Sequence, residues 1–194
     1  MCRFDSRPSF WRRVAWVGAD EPVTVAEVKA QSRIVFDDED TLLLGYVSAV
    51  RERCENELNR KIRRQTVELT YSGFGTGLRL DGLGHDVDVV SVEYVNAAGS
   101  YVAMQGTEYR VRSGHVFKVV PVLDWPVLNA ARPEVVVTVN AGYALPADVP
   151  SAIKQWIVAN VGSMYRSREA HSEKPMNELQ FVCGLLDPYR ITII

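Results

Sequence analysis

The chain has 194 residues, of which 47% are hydrophobic and 24% are charged, and its formal net charge is −2. This size allows a hydrophobic core without cross-links, and the near-neutral charge excludes an overall basic surface of the kind that binds nucleic acid tightly. The three cysteines, Cys2, Cys54 and Cys183, fit neither a disulfide framework nor a zinc spacing, and no run of about 18 apolar residues could span a membrane.

Residues 1–21 are predicted to form an N-terminal arm of irregular structure. The arm combines arginines with large apolar side chains and lacks the apolar region of a secretory signal. The residues concerned are Arg3, Arg7, Phe10, Trp11, Arg12, Arg13, Val14, Trp16 and Val17. Two interpretations remain open: the arm docks on a neighbouring molecule, or it folds onto its own domain.

Residues 22–64 are predicted to form the first part of a helical body, which begins with a capped helix. Thr24 and Glu27 have the spacing of a capping box, in which a hydroxyl and a carboxylate three positions later bind each other's backbone N–H groups. This pair predicts a helix over residues 25–32.

A second helix is predicted over residues 41–58. An acidic run at residues 37–40 precedes it, and apolar residues then recur every three or four positions. Asn59 can adopt the left-handed conformation that ends such a helix. The predicted helix–helix core residues of this segment are Leu43, Val47, Val50, Cys54 and Leu58.

A basic cluster follows the second helix. It lacks the interleaved aromatic residues of a single-stranded nucleic-acid site, so we interpret it as a solvated helix end or as a set of salt bridges between subunits. The possible subunit contacts are Arg60, Lys61, Arg63 and Arg64.

Residues 65–145 are predicted to form an antiparallel β insert. Short alternating or β-branched segments are separated by glycine-containing turns, a pattern typical of a small sandwich or barrel. The predicted strands cover residues 66–71, 78–80, 87–95, 101–104, 109–112, 116–120 and 135–140.

Residues 146–187 are predicted to form the second part of the helical body. Asp148 is the expected cap of a helix over residues 151–165, and Gly162 is expected to mark the close approach of another backbone. The predicted core residues of this helix are Ile153, Trp156, Ile157, Val161 and Met164. A short helix is expected from residue 175 to about residue 186.

The chain ends in an apolar, β-branched tail at residues 188–194, for which the sequence offers no obvious partner within a closed domain. Together the segments predict an α+β fold, in which N- and C-terminal helices pack as a helical body around an inserted small antiparallel β-sandwich or barrel.

No residue pattern predicts catalysis, a metal site or a cofactor site. His85, His115 and His171 are scattered, and no serine or cysteine lies in a nucleophile elbow. The glycine-rich residues 73–77 precede no helix that could bind a phosphate, and the acidic run at residues 37–40 lacks the spacing of a calcium-binding loop. We therefore predict no enzymatic activity.

The order of these segments resembles one particular family, the head–tail connector (adaptor, or head-completion) proteins of tailed double-stranded DNA bacteriophages, prophages and gene transfer agents. The resemblance spans about residues 22–190, and Asn59 stands where relatives often have glycine. The leader at residues 1–21 matches none of its motifs. The motifs that carry it lie at residues 23–29, 37–40, 49–55, 59–62, 65–69, 141–143, 149–156, 165–169 and 185–190.

The resemblance implies a structural protein of the virion neck. Roughly a dozen identical subunits would form a closed ring under the portal, with helices as the ring body and the β insert projecting outward or toward the tail. Its partners would be itself, the portal protein and a downstream stopper or tail-completion protein. Assembly would take place in the bacterial cytoplasm. DNA would pass through without sequence-specific binding, and no cofactor or membrane is implied.

The resemblance also implies a docking role for the C-terminal tail, which in similar proteins reaches into the portal. A β-branched segment could dock by strand addition or by inserting apolar side chains into a groove. The tail residues are Tyr189, Arg190, Ile191, Thr192, Ile193 and Ile194.

Two other functions remain as alternatives. The first is a β-sandwich module with helical flanks that binds a small ligand or a glycan, for which Tyr101, Tyr109 and Trp125 are the candidate aromatic residues. The second is an enzyme that depends on His85 or His115.

Overall fold

The computed structural model describes residues 5–18, 20–84, 87–114, 116–167, 182 and 184–192. In these residues the chain divides into two units. A β unit is formed from residues 5–18 and 64–142, and a helical unit is formed from residues 20–63 and 143–192. The prediction of a mixed α+β fold is confirmed. The short helix predicted from residue 175 falls mainly outside the described residues.

The helical unit contains the helices α1 (Val25–Ser32), α2 (Asp40–Leu58) and α3 (Ser151–Arg166). The Thr24 hydroxyl accepts a hydrogen bond from the Glu27 backbone at 3.2 Å, and the Glu27 carboxylate accepts one from the Thr24 backbone at 2.7 Å. This second bond holds the pKa of Glu27 below its usual value. Asn59 ends α2 with φ of 52°. The start of α1 and the end of α2 therefore lie where the capping residues in the sequence predict them.

The three helices enclose one apolar core. The predicted core residues buried in it are Leu43, Val47, Val50, Cys54, Leu58, Ile153, Trp156, Ile157 and Val161. Met164 is 39% exposed, so its predicted place in the core is wrong. Asp148 does not cap α3, because its carboxylate accepts a hydrogen bond from the Leu145 backbone at 3.1 Å and closes a separate 3-10 turn at Pro146–Asp148.

Gly162 of α3 lies close to α1, although the neighbouring atom belongs to a side chain and not to a backbone. A Cβ at this position would lie 2.9 Å from Ser32 Oγ, whereas a Cβ at Gly45 of α2 would meet nothing within 4 Å. The predicted close approach therefore involves the last residue of α1.

These two glycines give a matched test of the packing between α1 and α3. We expect Gly45→Ala to raise the free energy of unfolding by up to about 1 kcal/mol through helix propensity. Gly162→Ala should raise the free energy of unfolding by less than Gly45→Ala does, because the new methyl group must displace Ser32 Oγ. In a chain that also carries Ser32→Ala, Gly162→Ala should raise the free energy of unfolding as much as Gly45→Ala does. Urea unfolding measures these changes. Equal effects of the two single substitutions would contradict the contact.

The β unit contains two antiparallel sheets. The first has the strand order β1-β2-β8-β4-β5, and the second has the order β3-β7-β6. The strands are β1 (Phe10–Trp16), β2 (Gln65–Tyr71), β3 (Leu78–Arg79), β4 (Val87–Val95), β5 (Tyr101–Ala103), β6 (Tyr109–Arg112), β7 (Lys118–Pro121) and β8 (Val135–Ala141).

The core of the β unit takes side chains from both sheets. In β2 and in β8 every second residue is buried, which explains why the sequence alternates there. Leu78 of β3 and Val119 of β7 are buried in the same cluster as these strands. The Tyr71 hydroxyl donates to the Arg79 carbonyl at 2.7 Å, and burial raises the pKa of Tyr71. The more specific description as a sandwich or barrel stays a prediction.

Residues 10–16, predicted to be irregular, form the edge strand β1. The strand pairs with β2 from Phe10 opposite Thr70 to Trp16 opposite Gln65, with a bulge between Arg13 and Ala15. Of the two interpretations of the arm, the structure shows this part folded onto its own unit. Among the described helices, none has the length and apolar character that crossing a bilayer requires.

Candidate subunit and partner surfaces

The four basic residues after α2 all have partners within their own unit. Arg63 Nη1 lies 2.9 Å from Glu21 Oε1, and Lys61 Nζ lies 3.9 Å from Glu55 Oε2. The Arg60 guanidinium lies over the Tyr143 ring at 5.2 Å. In the β unit, Arg64 Nη1 donates to the Gly142 carbonyl at 2.9 Å, and Arg64 also pairs with Asp88. These contacts give the cluster a structural role within the chain, and a role between subunits stays a prediction.

A buried ion-pair network in the helical unit was missed by the sequence analysis. Its centre is Arg51, whose side chain is 0% exposed. Arg51 Nε donates to Glu21 Oε2 at 2.7 Å, and Arg51 Nη2 donates to Ser48 Oγ at 3.1 Å. Arg51 Nη1 lies 3.4 Å from Glu55 Oε1. Arg51 is buried on α2, and no basic residue lies in the last turn of this helix.

The same network fixes the chain where it leaves α2. Glu55 Oε1 accepts hydrogen bonds from the backbone N–H groups of Ile62 at 2.9 Å and Arg63 at 3.2 Å. Glu21 joins Arg51 to Arg63, since it binds both guanidinium groups. The two carboxylates therefore tie α2 to the segment that precedes α1 and to the segment that follows α2.

The described part of the C-terminal tail packs against the end of α2. Ile191 is 8% exposed. Its backbone N–H donates to the Leu58 carbonyl at 3.0 Å, and its carbonyl accepts from Asn59 Nδ2 at 2.9 Å. The expectation that this tail lacks a partner within its domain is therefore wrong at Ile191. Tyr189 is half-buried, and Arg190 and Thr192 are exposed. Ile193 and Ile194 lie outside the described residues.

The aromatic residues proposed for ligand binding have partners in the β unit. The Trp125 ring stacks on the Phe74 ring with centroids 4.3 Å apart and an angle of 7°. The Tyr101 hydroxyl donates to Glu134 at 2.8 Å and accepts from Arg132 Nη2 at 2.8 Å. Tyr109 is partly buried against the core. This packing gives no support to a glycan-binding platform.

The described residues contain no group of three or more side chains that could hold a metal ion. His85 and His115, on which the enzyme alternative depends, lie outside the described part of the chain, as does His171.

Cys54 is expected to be chemically inert in the folded protein. Burial, together with the nearby carboxylates of Glu57 and Glu55, raises the pKa of its thiol to about 12. With Cys2 and Cys183 both replaced by serine, iodoacetamide at pH 8 should label the folded chain at least about 1000-fold more slowly than the chain in denaturant, because the thiolate is the reactive form. Equal rates would contradict the burial of Cys54.

Solved structures from phage-like particles share this fold. A chain in the neck of an empty gene transfer agent particle, computed with C6 symmetry, aligns with a TM-score of 0.77 at 18% identity, covering 95% of this chain and 97% of that one. A chain from the virion of a native gene transfer agent particle aligns with a TM-score of 0.76 at 18% identity, covering 95% of this chain and 96% of that one. A chain from the neck of a native gene transfer agent particle, computed with C12 symmetry, aligns with a TM-score of 0.70 at 17% identity, covering 93% of this chain and 97% of that one. The search of curated proteins gave no match.

The fold therefore belongs to a class of α+β chains that occurs in the necks of phage-like particles. Residues 22–110 match the family model described as phage gp6-like head-tail connector protein. Over these residues the resemblance to head–tail connector proteins drawn from the sequence is confirmed.

Proposed function

We propose that the protein is a structural virion component that forms an oligomeric ring, joins the portal of the capsid to the tail and provides a conduit for DNA. The observation that carries this proposal is the match of residues 22–110 to the connector family, supported by a fold shared over 95% of the chain with a neck protein. Both observations favour a structural role over an enzymatic one.

The ring would contain roughly a dozen copies, related by heterologous contacts that close on themselves. Two of the similar neck structures were computed with C6 and C12 symmetry, which supports a closed symmetric arrangement. For this chain we assign the ring body to residues 22–64 and 146–187, and the outward or tail-facing projection to residues 65–145.

The C-terminal tail would dock on the portal. Its buried anchor is Ile191, which is hydrogen-bonded to Leu58 and Asn59, so the tail starts from a fixed point at the end of α2. Ile193 and Ile194 would supply apolar, β-branched side chains to the portal. Exposed Arg190 and Thr192 lie on either side of the anchor.

The remaining partners follow from the neck position. The surface of the ring that faces away from the portal would bind a downstream stopper or tail-completion protein. DNA would pass through the lumen without sequence-specific contacts, in keeping with a formal charge of −2. The ring would be assembled in the bacterial cytoplasm and remain in the virion neck.

Sedimentation velocity of the full chain, alone and with the portal protein, tests this function. We expect the chain to form a discrete ring-sized oligomer with the portal, whether or not it does so alone. A chain that stays monomeric in both conditions and does not cosediment with the portal would overturn the proposal.

A further inference from the structure

The edge strand β1 exposes an unusual combination of side chains. Phe10 is 61% exposed and Trp11 is 52% exposed, and Val14 is also exposed. Arg12 and Arg13 lie between them along the strand. We call these five residues the basic strand. Because β1 is the first strand in the order of its sheet, its outer edge also presents backbone hydrogen-bonding groups.

The exposed side chains occur on both faces of the basic strand. Arg12 lies opposite Glu68 and pairs with it at 2.7 Å, while Trp11 lies opposite the buried Leu69. Arg13 lies over the Trp16 ring at 4.0 Å. Apolar groups this exposed on a folded edge strand are typical of a surface that another protein covers.

The connection between α1 and α2 exposes a second apolar surface, with charge of the opposite sign. Val35 is 91% exposed and Phe36 is 47% exposed, and they are followed directly by the exposed residues Asp37 and Asp38. We call these four residues the acidic loop. Each surface therefore has an apolar part beside charged residues.

The acidic loop is held in a defined conformation. Arg33, which directly follows the last residue of α1, has φ of 55°, and its backbone N–H donates to the Lys29 carbonyl. Lys29 also pairs through its ammonium group with Asp37 and with Asp40. The hydrogen bond from Lys29 lowers the pKa of Asp37, so the loop keeps its negative charge at neutral pH. A fixed loop loses little conformational entropy on binding.

We propose that the basic strand of one copy of this chain binds the acidic loop of the next copy. The inference rests on the proposed ring and names a contact that would close it. Two different surfaces of opposite charge, each with an exposed apolar part, fit a heterologous contact. Such a contact would cover the exposed aromatic residues and pair the arginines with the aspartates.

Charge reversal tests the contact directly. Variant A carries Arg12→Glu and Arg13→Glu, and variant B carries Asp37→Lys and Asp38→Lys. Each variant alone brings like charges together, so we expect its self-association to weaken at least about 100-fold. An equimolar mixture of A and B restores opposite charges at every contact of an alternating ring, so the mixture should assemble again. A two-fold contact of strand with loop would also be rescued but would stop at pairs, which sedimentation velocity distinguishes from a ring.

Two controls separate assembly from folding. Arg110→Glu with Arg112→Glu reverses two exposed arginines on β6 of the same unit and should leave assembly unchanged. Thermal unfolding followed by circular dichroism should show that A and B remain folded. Ring formation by A and by B as strong as in the unmodified chain, or a mixture that fails to assemble although both variants are folded, would overturn the inference.

A cross-linking experiment gives an independent answer if a reversed strand unfolds. In a chain with Cys2→Ser and Cys183→Ser, Trp11→Cys together with Val35→Cys should give a ladder of covalent oligomers with a short bismaleimide. Either new cysteine alone should give no ladder. If rings of the unmodified chain form but the ladder is absent, this inference fails while the proposed function stands. If the unmodified chain forms no ring even with the portal, both fail.

Discussion

Replacing Arg51 with methionine is expected to lower the free energy of unfolding of the helical unit by about 3–5 kcal/mol. Arg51 is fully buried and is the common partner of Glu21 and Glu55. Its removal takes the shared guanidinium group away from two carboxylates that are 5–7% exposed, while Arg63 and Lys61 stay beside them. Urea unfolding followed by circular dichroism at 222 nm measures this loss.

The matched control lies two residues further along the same helix. Arg53 is 54% exposed and pairs with Glu57 at 2.9 Å, so Arg53→Met should cost less than about 1 kcal/mol. A double-mutant cycle with Glu21→Gln should show that Arg51→Met and Glu21→Gln are not additive, because they break the same contact. If Arg51→Met cost no more than Arg53→Met, the buried network would not be a major source of stability.

Removing Ile193 and Ile194 is expected to weaken binding to the portal at least about 100-fold, because two apolar side chains would no longer be buried in the complex. The free energy of unfolding should stay nearly unchanged. Surface plasmon resonance with immobilised portal protein measures the binding, and urea unfolding measures the stability of the same preparation.

Ile191→Ala provides the contrast. Because Ile191 is buried and its backbone is hydrogen-bonded to the end of α2, this substitution should cost about 2–4 kcal/mol of stability. Deletion of the whole tail from Tyr189 onward would therefore combine a docking defect with a folding defect. Unchanged portal binding after removal of only the last two residues would exclude those residues from the docking mechanism.

Much of the fold could be predicted because local signals decide it. The alternation in β2 and β8 reflects one buried face, and Thr24, Glu27 and Asn59 mark helix ends through contacts within a few residues. In the same way, the apolar period of α2 and α3 identified most of their buried residues. Met164 is the exception, since it is 39% exposed near the end of α3.

The features that could not be predicted depend on distant partners. Strand β1 has no regular alternation, and it becomes a strand because it pairs with β2, whose partner residues lie 49 to 60 positions further along the chain. Arg51 lies 30 positions from Glu21, so nothing local marks it as buried. Ile191 is separated from Asn59 by 132 positions. For such contacts the sequence gives composition and charge but not the pairing.

A closed ring of this chain between portal and tail should be visible by electron microscopy of the purified protein mixed with its portal. We expect a ring of roughly a dozen copies under the portal, coaxial with its channel and wide enough for double-stranded DNA. Images that show portal particles without an added ring, or single copies bound at irregular positions, would contradict it.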